Sequence, residues 1–310
     1  MRKLVIGAAT LLLALTACAN DNPSVGGGGT SSDGVATRPP TASACAQQNQ
    51  GSFYASGQLT VGTDNPAYPP YFAGGETETH KEWKFNDPYT GKGFEDAVAY
   101  EVADRLGFST DQVQWTVAPF GQTYKPGPKN YDLAIEQISF SPKRAEAVDF
   151  SESYYDVNQS LVSVKGNPIT GAKSIADLKD YSIATQIGTT SYDFIQNVIQ
   201  PSKEPGAYNS LADSVAALNA GQVDAIVVDL PTALYLADPF VQEVKNGVVV
   251  GQFETAAQGE YFGMTFTKGS PLVACVDQAL EEMKSDGTLQ QIQIKWLSEK
   301  TNVGEVPVLK

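Results

Sequence analysis

From residue 58 onward the chain alternates short apolar runs with stretches whose apolar residues recur every three or four positions. The runs "QLTVGT" (58–63), "VQWTVA" (113–118), "YDLAIEQIS" (131–139), "SLVSVKG" (160–166), "YSIATQ" (181–186), "VDAIVVDL" (223–230) and "GEYFGMTFTKG" (259–269) predict strands. Between them, "GFEDAVAYEVADRLGF" (93–108) predicts a helix. Phe94, Val98, Val102 and Leu106 fall on one face, and Gly107 stops it. Further helices are expected over 174–180, 189–199, 210–221, 231–237 and, the longest, "PLVACVDQALEEMKSDG" (271–287). Strands alternating with helices in this way imply an α/β fold with mainly parallel sheets flanked by helices. The insert 73–93 is polar and reads as a loop, and the single histidine in it, His80, is expected to be solvated.

The first residues follow a different pattern. Arg2 and Lys3 precede a short apolar run, Leu4 to Leu13, too short to span a bilayer stably, and Leu15-Thr16-Ala17-Cys18 follows. That tetrad resembles a bacterial lipobox, which makes 1–18 a lipoprotein signal peptide and Cys18 the lipidated (palmitate-bearing) N-terminus. An ordinary cleaved signal is the alternative. Residues 19–50 read as a flexible linker, with Asn20 to Ala44 rich in Gly, Ser, Thr and Pro. As a coil of about 25 residues it would reach roughly 30 Å.

What remains is large for one core and comfortable for two lobes. The formal net charge is −14, and −16 once Arg2 and Lys3 are gone, which argues against a nucleic-acid partner. The chain has three cysteines, so Cys45 and Cys275 remain as an even pair in an exported, oxidising setting. A disulfide between them is expected, with two buried free thiols as the other reading.

Three stretches carry candidate chemistry. In "QISFSPKRAEAVDFS" (137–151), Ser141-Pro142 marks a helix start, which puts Arg144 in a first turn where a cation is mildly unfavourable. Such an arginine suits an anionic ligand. In "SIATQIGTTSYDF" (182–194) a strand ends at Gln186, a glycine turn follows, and Thr189-Thr190 open a helix whose free N–H groups suit a carboxylate or phosphate. A plain threonine cap explains that stretch as well. Asp229 closes an apolar strand, where a carboxylate is costly unless a cation or several donors meet it. Asp132 to Gln137 and Asp224 to Asp229 repeat one spacing, a faint echo of two similar lobes. Two anion devices and one cation trap together describe a ligand with both charges, an α-amino acid.

The stretch "DLAIEQISFSPKRAEAVDFSESYY", with "GTT", "GQVDAIVVD" and "ALEEMKSDGTLQQIQIKW", resembles the periplasmic solute-binding proteins of polar amino acid ABC importers, the type-3 extracellular family. The resemblance spans roughly 57–300 and implies a type II two-lobe periplasmic-binding-protein fold. Lobe 1 would be 51–160 plus 264–310, lobe 2 161–263, with hinge strands near 160–165 and 259–264. It also implies that Arg144 and Ser139 hold the ligand carboxylate, joined by Thr190, while Asp229 and the Gln137 carbonyl take the ammonium. Asp64, Tyr68 and, less firmly matched, Tyr71 would belong to the side-chain pocket, with Phe120 as the opposite wall and Gln186 at its border. Glu136 stands where relatives can face the ligand, although it could equally point to solvent or pair with a lysine. The loops 73–93 and 121–130 depart from the family pattern beside that pocket.

The implied function is a lipid-anchored, extracytoplasmic protein that captures a polar amino acid, cationic ones included, as a monomer and delivers it to an ABC transporter permease. Cofactor, metal and catalytic residues are all expected to be absent, and the membrane is met only through the lipid anchor. The competing reading is a periplasmic dehydratase-type enzyme on the same scaffold acting on a cyclic carboxylate. Asp229 disfavours it, because a ligand without an ammonium would leave that carboxylate unpaired.

Overall fold

The strands of this protein, seen in a computed structural model that describes residues 41–298 and 306–310, explain why two lobes form rather than one. Within the described residues they are β1 (Leu59–Thr63), β2 (Val113–Val117), β3 (Leu133–Ala134), β4 (Val148–Phe150), β5 (Tyr155–Asp156), β6 (Gln159–Val164), β7 (Ile183–Gln186), β8 (Gly206–Tyr208), β9 (Ala225–Asp229), β10 (Gly247–Phe253), β11 (Tyr261–Phe262) and β12 (Thr265–Thr267). They form one sheet in the order β2-β1-β3-β12-β4 and a second in the order β10-β6-β9-β7-β8. In the first, β1 runs parallel to β2 and β3, and β12 runs antiparallel to both β3 and β4. The second repeats the scheme, with β6 antiparallel to β9 and β10 while β7, β8 and β9 run together. Each sheet is therefore mainly parallel with one reversed strand. Strands such as β1 and β6 are buried almost throughout because helices cover both faces of a parallel sheet.

The reversed strands mark the crossings between lobes. Chain order runs β1–β4 in the first sheet, β5 in a two-stranded ribbon with β11, β6–β10 in the second sheet, then β11 and back to β12. The crossing lies at β5 and β11, so the first hinge falls earlier than the expected 160–165. Those residues belong to β6, a buried member of the second sheet. The final residues also differ from the expected assignment to lobe 1. Val308 bridges Gln252 of β10, and Leu309 packs into the second lobe's core with Leu161, Ile183 and Phe253.

The first lobe's main core is built by the helices Phe94–Leu106 and Leu272–Ser285, whose Val98, Val102, Leu106, Val276 and Leu280 are buried together. The expected linker is shorter at its C-terminal end than 19–50. Ala42–Gln48 is a helix, capped by Thr41, with Ala42 and Ala46 buried in that core. It carries Cys45, whose Sγ lies 1.98 Å from that of Cys275. The lipobox expectation at Cys18 lies outside the described residues. Among the described residues no helix is long and apolar enough to cross a membrane.

Gly93, just ahead of the Phe94–Leu106 helix, has φ 125°, and an added Cβ would sit 2.1 Å from the Tyr71 carbonyl oxygen. That backbone region is essentially closed to other residues. Gly93→Ala should therefore destabilise the protein by about 3 kcal/mol or more. Gly166→Ala, also at positive φ but with nothing within 4 Å, should lose only about 1 kcal/mol. Urea midpoints compare them, and equal losses would contradict the close approach.

Candidate functional site

The parallel strands of both sheets end facing the gap between the lobes, and the segments that follow them line a cavity of about 360 Å³. Crevices at the carboxyl ends of such strands are where open α/β sheets bind ligands. β1 delivers Asp64 and β3 the stretch Glu136 to Ser139. From the other side, β7 delivers Gln186 and Thr190, and β9 delivers Asp229. Of the expected ligand residues, Asp64, Tyr68, Phe120, Gln137, Ser139, Arg144, Gln186, Thr190 and Asp229 border this cavity.

One end of the cavity is cationic. The four-residue helix Pro142–Ala145 starts as its sequence requires, with Pro142 at its first position and the Ser141 hydroxyl accepting from the Arg144 N–H. Arg144 is 8 % exposed. Its Nη1 donates to the Ser139 carbonyl at 2.6 Å, and its Nη2 crosses the cleft to the Gly188 carbonyl at 2.9 Å. The guanidinium lies 4.4 Å from the centre of the Tyr124 ring and 5.4 Å from that of Phe120. None of the ion pairs among the described residues includes it. Burial works against its charge, which the rings and distant carboxylates only partly offset.

The two threonines opposite divide the work. Thr189 caps the helix Thr190–Phe194 by accepting from the Tyr192 N–H, while the Thr190 hydroxyl meets that of Ser139 across the cleft at 3.2 Å.

Asp229 stands at the head of the helix Leu230–Leu236, yet its side chain caps nothing there. Gln159 Nε2 donates to Asp229 Oδ1 at 3.0 Å and to Glu260 Oε1 at 2.9 Å, while Gln159 Oε1 accepts from the Ser191 hydroxyl at 2.6 Å. Burial, reinforced by the charge of Glu260, raises the Asp229 carboxyl to about 8. Gln137 is fixed from behind. Its backbone has φ 46°, and buried Glu95 accepts from both its N–H and its side-chain amide. Burial raises Glu95 to about 7.

The family model for the bacterial extracellular solute-binding proteins, family 3, matches residues 59–299. The chain belongs to that family. Among curated relatives, the L-cystine-binding protein TcyA of Bacillus subtilis (strain 168) is 30 % identical over 254 residues, covering 80 % of this chain and 84 % of the relative. An ancestral arginine-binding protein bound to arginine is similar in structure at TM-score 0.62 and 28 % identity, covering 78 % of this chain and 99 % of its own. The ancestral amino acid-binding protein AncCDT-1, a precursor of cyclohexadienyl dehydratase, matches at the same TM-score and identity over 78 % of this chain and 96 % of its own.

As in any two-lobed solute-binding protein, pocket residues come from distant stretches of the chain, and several here left no sequence signal. Asn209 to Ala212, at the start of the helix Leu211–Asn219, line the cavity, but only the helix itself was legible. Tyr124, in the departing 121–130 loop, stacks under Arg144 and donates to the Gly188 carbonyl. Tyr71 and His80 sit differently from expectation, and Glu136 takes the cavity-facing one of its two readings. Tyr71 is 2 % exposed and lines no part of the cavity, its hydroxyl paired with that of Thr232 at 3.1 Å. Glu136 is 7 % exposed and borders the cavity, so it neither faces solvent nor pairs with a lysine. His80 is tied down rather than solvated, its Nδ1 at 2.9 Å from buried Asp87 and its ring stacked 4.0 Å from Tyr89.

The raised carboxyls give a signed pH dependence. Folded Asp229 holds its proton up to about pH 8, whereas an unfolded aspartate releases it near about 3.9. Glu95, raised to about 7, acts in the same sense. Between these values the folded state holds more protons, so stability falls as pH rises. The ligand-free protein should melt lower at pH 8 than at pH 5, and Asp229→Asn should narrow the difference. Melting curves that are equal, or higher at pH 8, would refute this.

Proposed function

We propose that this chain captures a polar α-amino acid between its lobes and delivers it to an ABC importer. The reading is carried by one observation, a buried arginine with no carboxylate partner among the described residues, at one end of a cavity that also holds a buried, proton-retaining aspartate. Arg144 takes the ligand carboxylate with Ser139 and Thr190, while Asp229 and the Gln137 carbonyl take the ammonium. Phe120 and Tyr68 form the walls of the side-chain pocket, Asp64 sits within it and Gln186 borders it. Relatives that bind L-cystine and arginine support the class of ligand.

On this reading the protein is no enzyme and acts as a single chain tethered by lipid at Cys18. The Cys45–Cys275 bridge joins two helices of the first lobe, so it leaves lobe closure free. The similarity to a dehydratase precursor favours the alternative enzyme reading. Against it, a cyclic carboxylate without an ammonium would leave Asp229 desolvated and unpaired.

A thermal-shift screen of the twenty amino acids tests the function, since a ligand at a hundred times its Kd stabilises by about 2.7 kcal/mol. Turnover of cyclic carboxylates with no amino acid response would reverse the choice. Arg144→Ala should lower affinity for every amino acid that binds, by about 2–5 kcal/mol, because it removes one partner of a desolvated charge pair. Near-normal affinity by calorimetry would reject the assignment of Arg144. For the bridge, intact mass after alkylation without reductant should show no free thiol on Cys45 or Cys275. Two alkylated thiols would exclude it.

A further inference from the structure

The end of the cavity away from Arg144 contains a charge arrangement that binding the α-carboxylate and ammonium does not explain. Glu136 follows β3 and Asp64 follows β1, and the two side chains are in hydrogen-bonding contact at the cavity wall. Glu136 Oε2 is buried, and no donor among the described residues reaches it. The Asn65 N–H donates to Asp64 Oδ1 at 2.8 Å, which orients that side chain. None of the ion pairs among the described residues includes either acid.

The other titratable groups nearby only sharpen the problem. Glu95, on the Phe94–Leu106 helix, adds negative charge from behind Glu136. Tyr131, ahead of β3, has a buried hydroxyl without a partner among the described residues and feels the charge of Glu136. Tyr68 feels that of Asp64. Burial, with Asp64 beside it, pushes the Glu136 carboxyl well above its ordinary range. Two adjacent carboxyl groups in a desolvated site cannot both ionise unless a cation joins them. With the site empty, one shared proton fills that role.

We propose that Glu136 and Asp64 form the subsite for the distal cation of the bound amino acid, a carboxyl pair that gives up one proton as a guanidinium or ammonium group enters. The inference rests on the amino acid reading above and narrows it to ligands with a cationic side chain. The O–H bond of the shared proton breaks, the proton passes through the cleft to buffer, and the ligand's N–H groups take its place between the oxygens. Charge inside the subsite is conserved, one positive charge for another. A neutral amide leaves the proton where it is. Asp229 likewise releases its proton to buffer when any α-ammonium binds beside it, so the signature of the pair is a difference between ligands.

Calorimetry of L-arginine and L-glutamine in buffers of different ionisation enthalpy at pH 7 measures proton release directly. L-arginine should release one proton more than L-glutamine. The ratio of their affinities should rise by up to about tenfold per pH unit in favour of arginine while the pair remains protonated. Glu136→Gln and Asp64→Asn should each remove the extra proton and flatten that ratio. Equal proton release for both ligands would overturn the proposal, as would glutamine binding with arginine excluded, and both results leave the amino acid reading intact. Failure of all amino acids to bind would overturn the proposal together with that reading.

Discussion

A buried guanidinium with no carboxylate at ion-pair distance among the described residues is the constraint around which this cleft is organised. Desolvating such a charge is expensive, and two carbonyl groups with two aromatic faces satisfy its donors without cancelling it. The fold holds Arg144 in place by local means. Ser141 caps its helix, Ser139 presents a carbonyl five residues back, and Phe120 and Tyr124 pack as a pair against its plane. Nothing in that scaffold needs the charge. A methionine or leucine would fill the space without the desolvation penalty, and on the proposed function the charge is kept for a guest. Arginine also offers a carboxylate two parallel donors, which lysine cannot.

The guest must be met from both lobes, and the topology provides for that. Each sheet's single reversed strand adjoins a crossing, so the parallel strands of both lobes end at the same gap. Gln159 couples the two functions. It opens β6 directly after the crossing, and its amide ties Asp229 in the cleft to Glu260 beside β11, while its carbonyl holds Ser191 in the helix opposite Arg144. An ammonium arriving at Asp229 competes for a carboxylate that the Gln159 amide already holds. The electrostatic state of the ligand site is thereby felt at the crossing itself, through one side chain rather than through the sheet.

The parts of this structure legible in the sequence are those fixed by local chemistry. The buried strands β1, β6, β7 and β9 read directly from their apolar runs, and the helix around Phe94, Val98, Val102 and Leu106 from its period. Arg144, Thr190 and Asp229 were visible because each is an electrostatic anomaly at the end of an element. The less regular elements were not. β10 contains the bulge between Val249 and Gly251, which breaks the alternation a half-buried strand should show. The expected strand over 259–269 divides at Gly263, where one piece serves the ribbon and the other the first sheet. Tyr124 and Asn209 to Ala212 reach the cleft only through tertiary placement. Glu136 had an acidic neighbour in space, seventy-two positions away in sequence, that no periodicity could reveal.

Charge balance across the cavity follows from these placements. Asp64, Glu136 and Asp229 line it, with Glu95 and Glu260 close behind, and Arg144 is the one basic residue in its lining among the described residues. The protein resolves the excess in the empty state by keeping protons, with Asp229 raised to about 8 and Glu95 to about 7. On the proposed function an amino acid would bring a carboxylate to Arg144 and an ammonium to Asp229, which neutralises one end and leaves the other as it was. A bulky aliphatic side chain would then exclude water from two carboxyl groups while offering them no donor, a loss that apolar contact with Phe120 and Tyr68 does not recover. On that reading the cavity would reject aliphatic ligands by what it would leave unpaired rather than by shape, and such rejection discriminates more steeply than a missing methylene could.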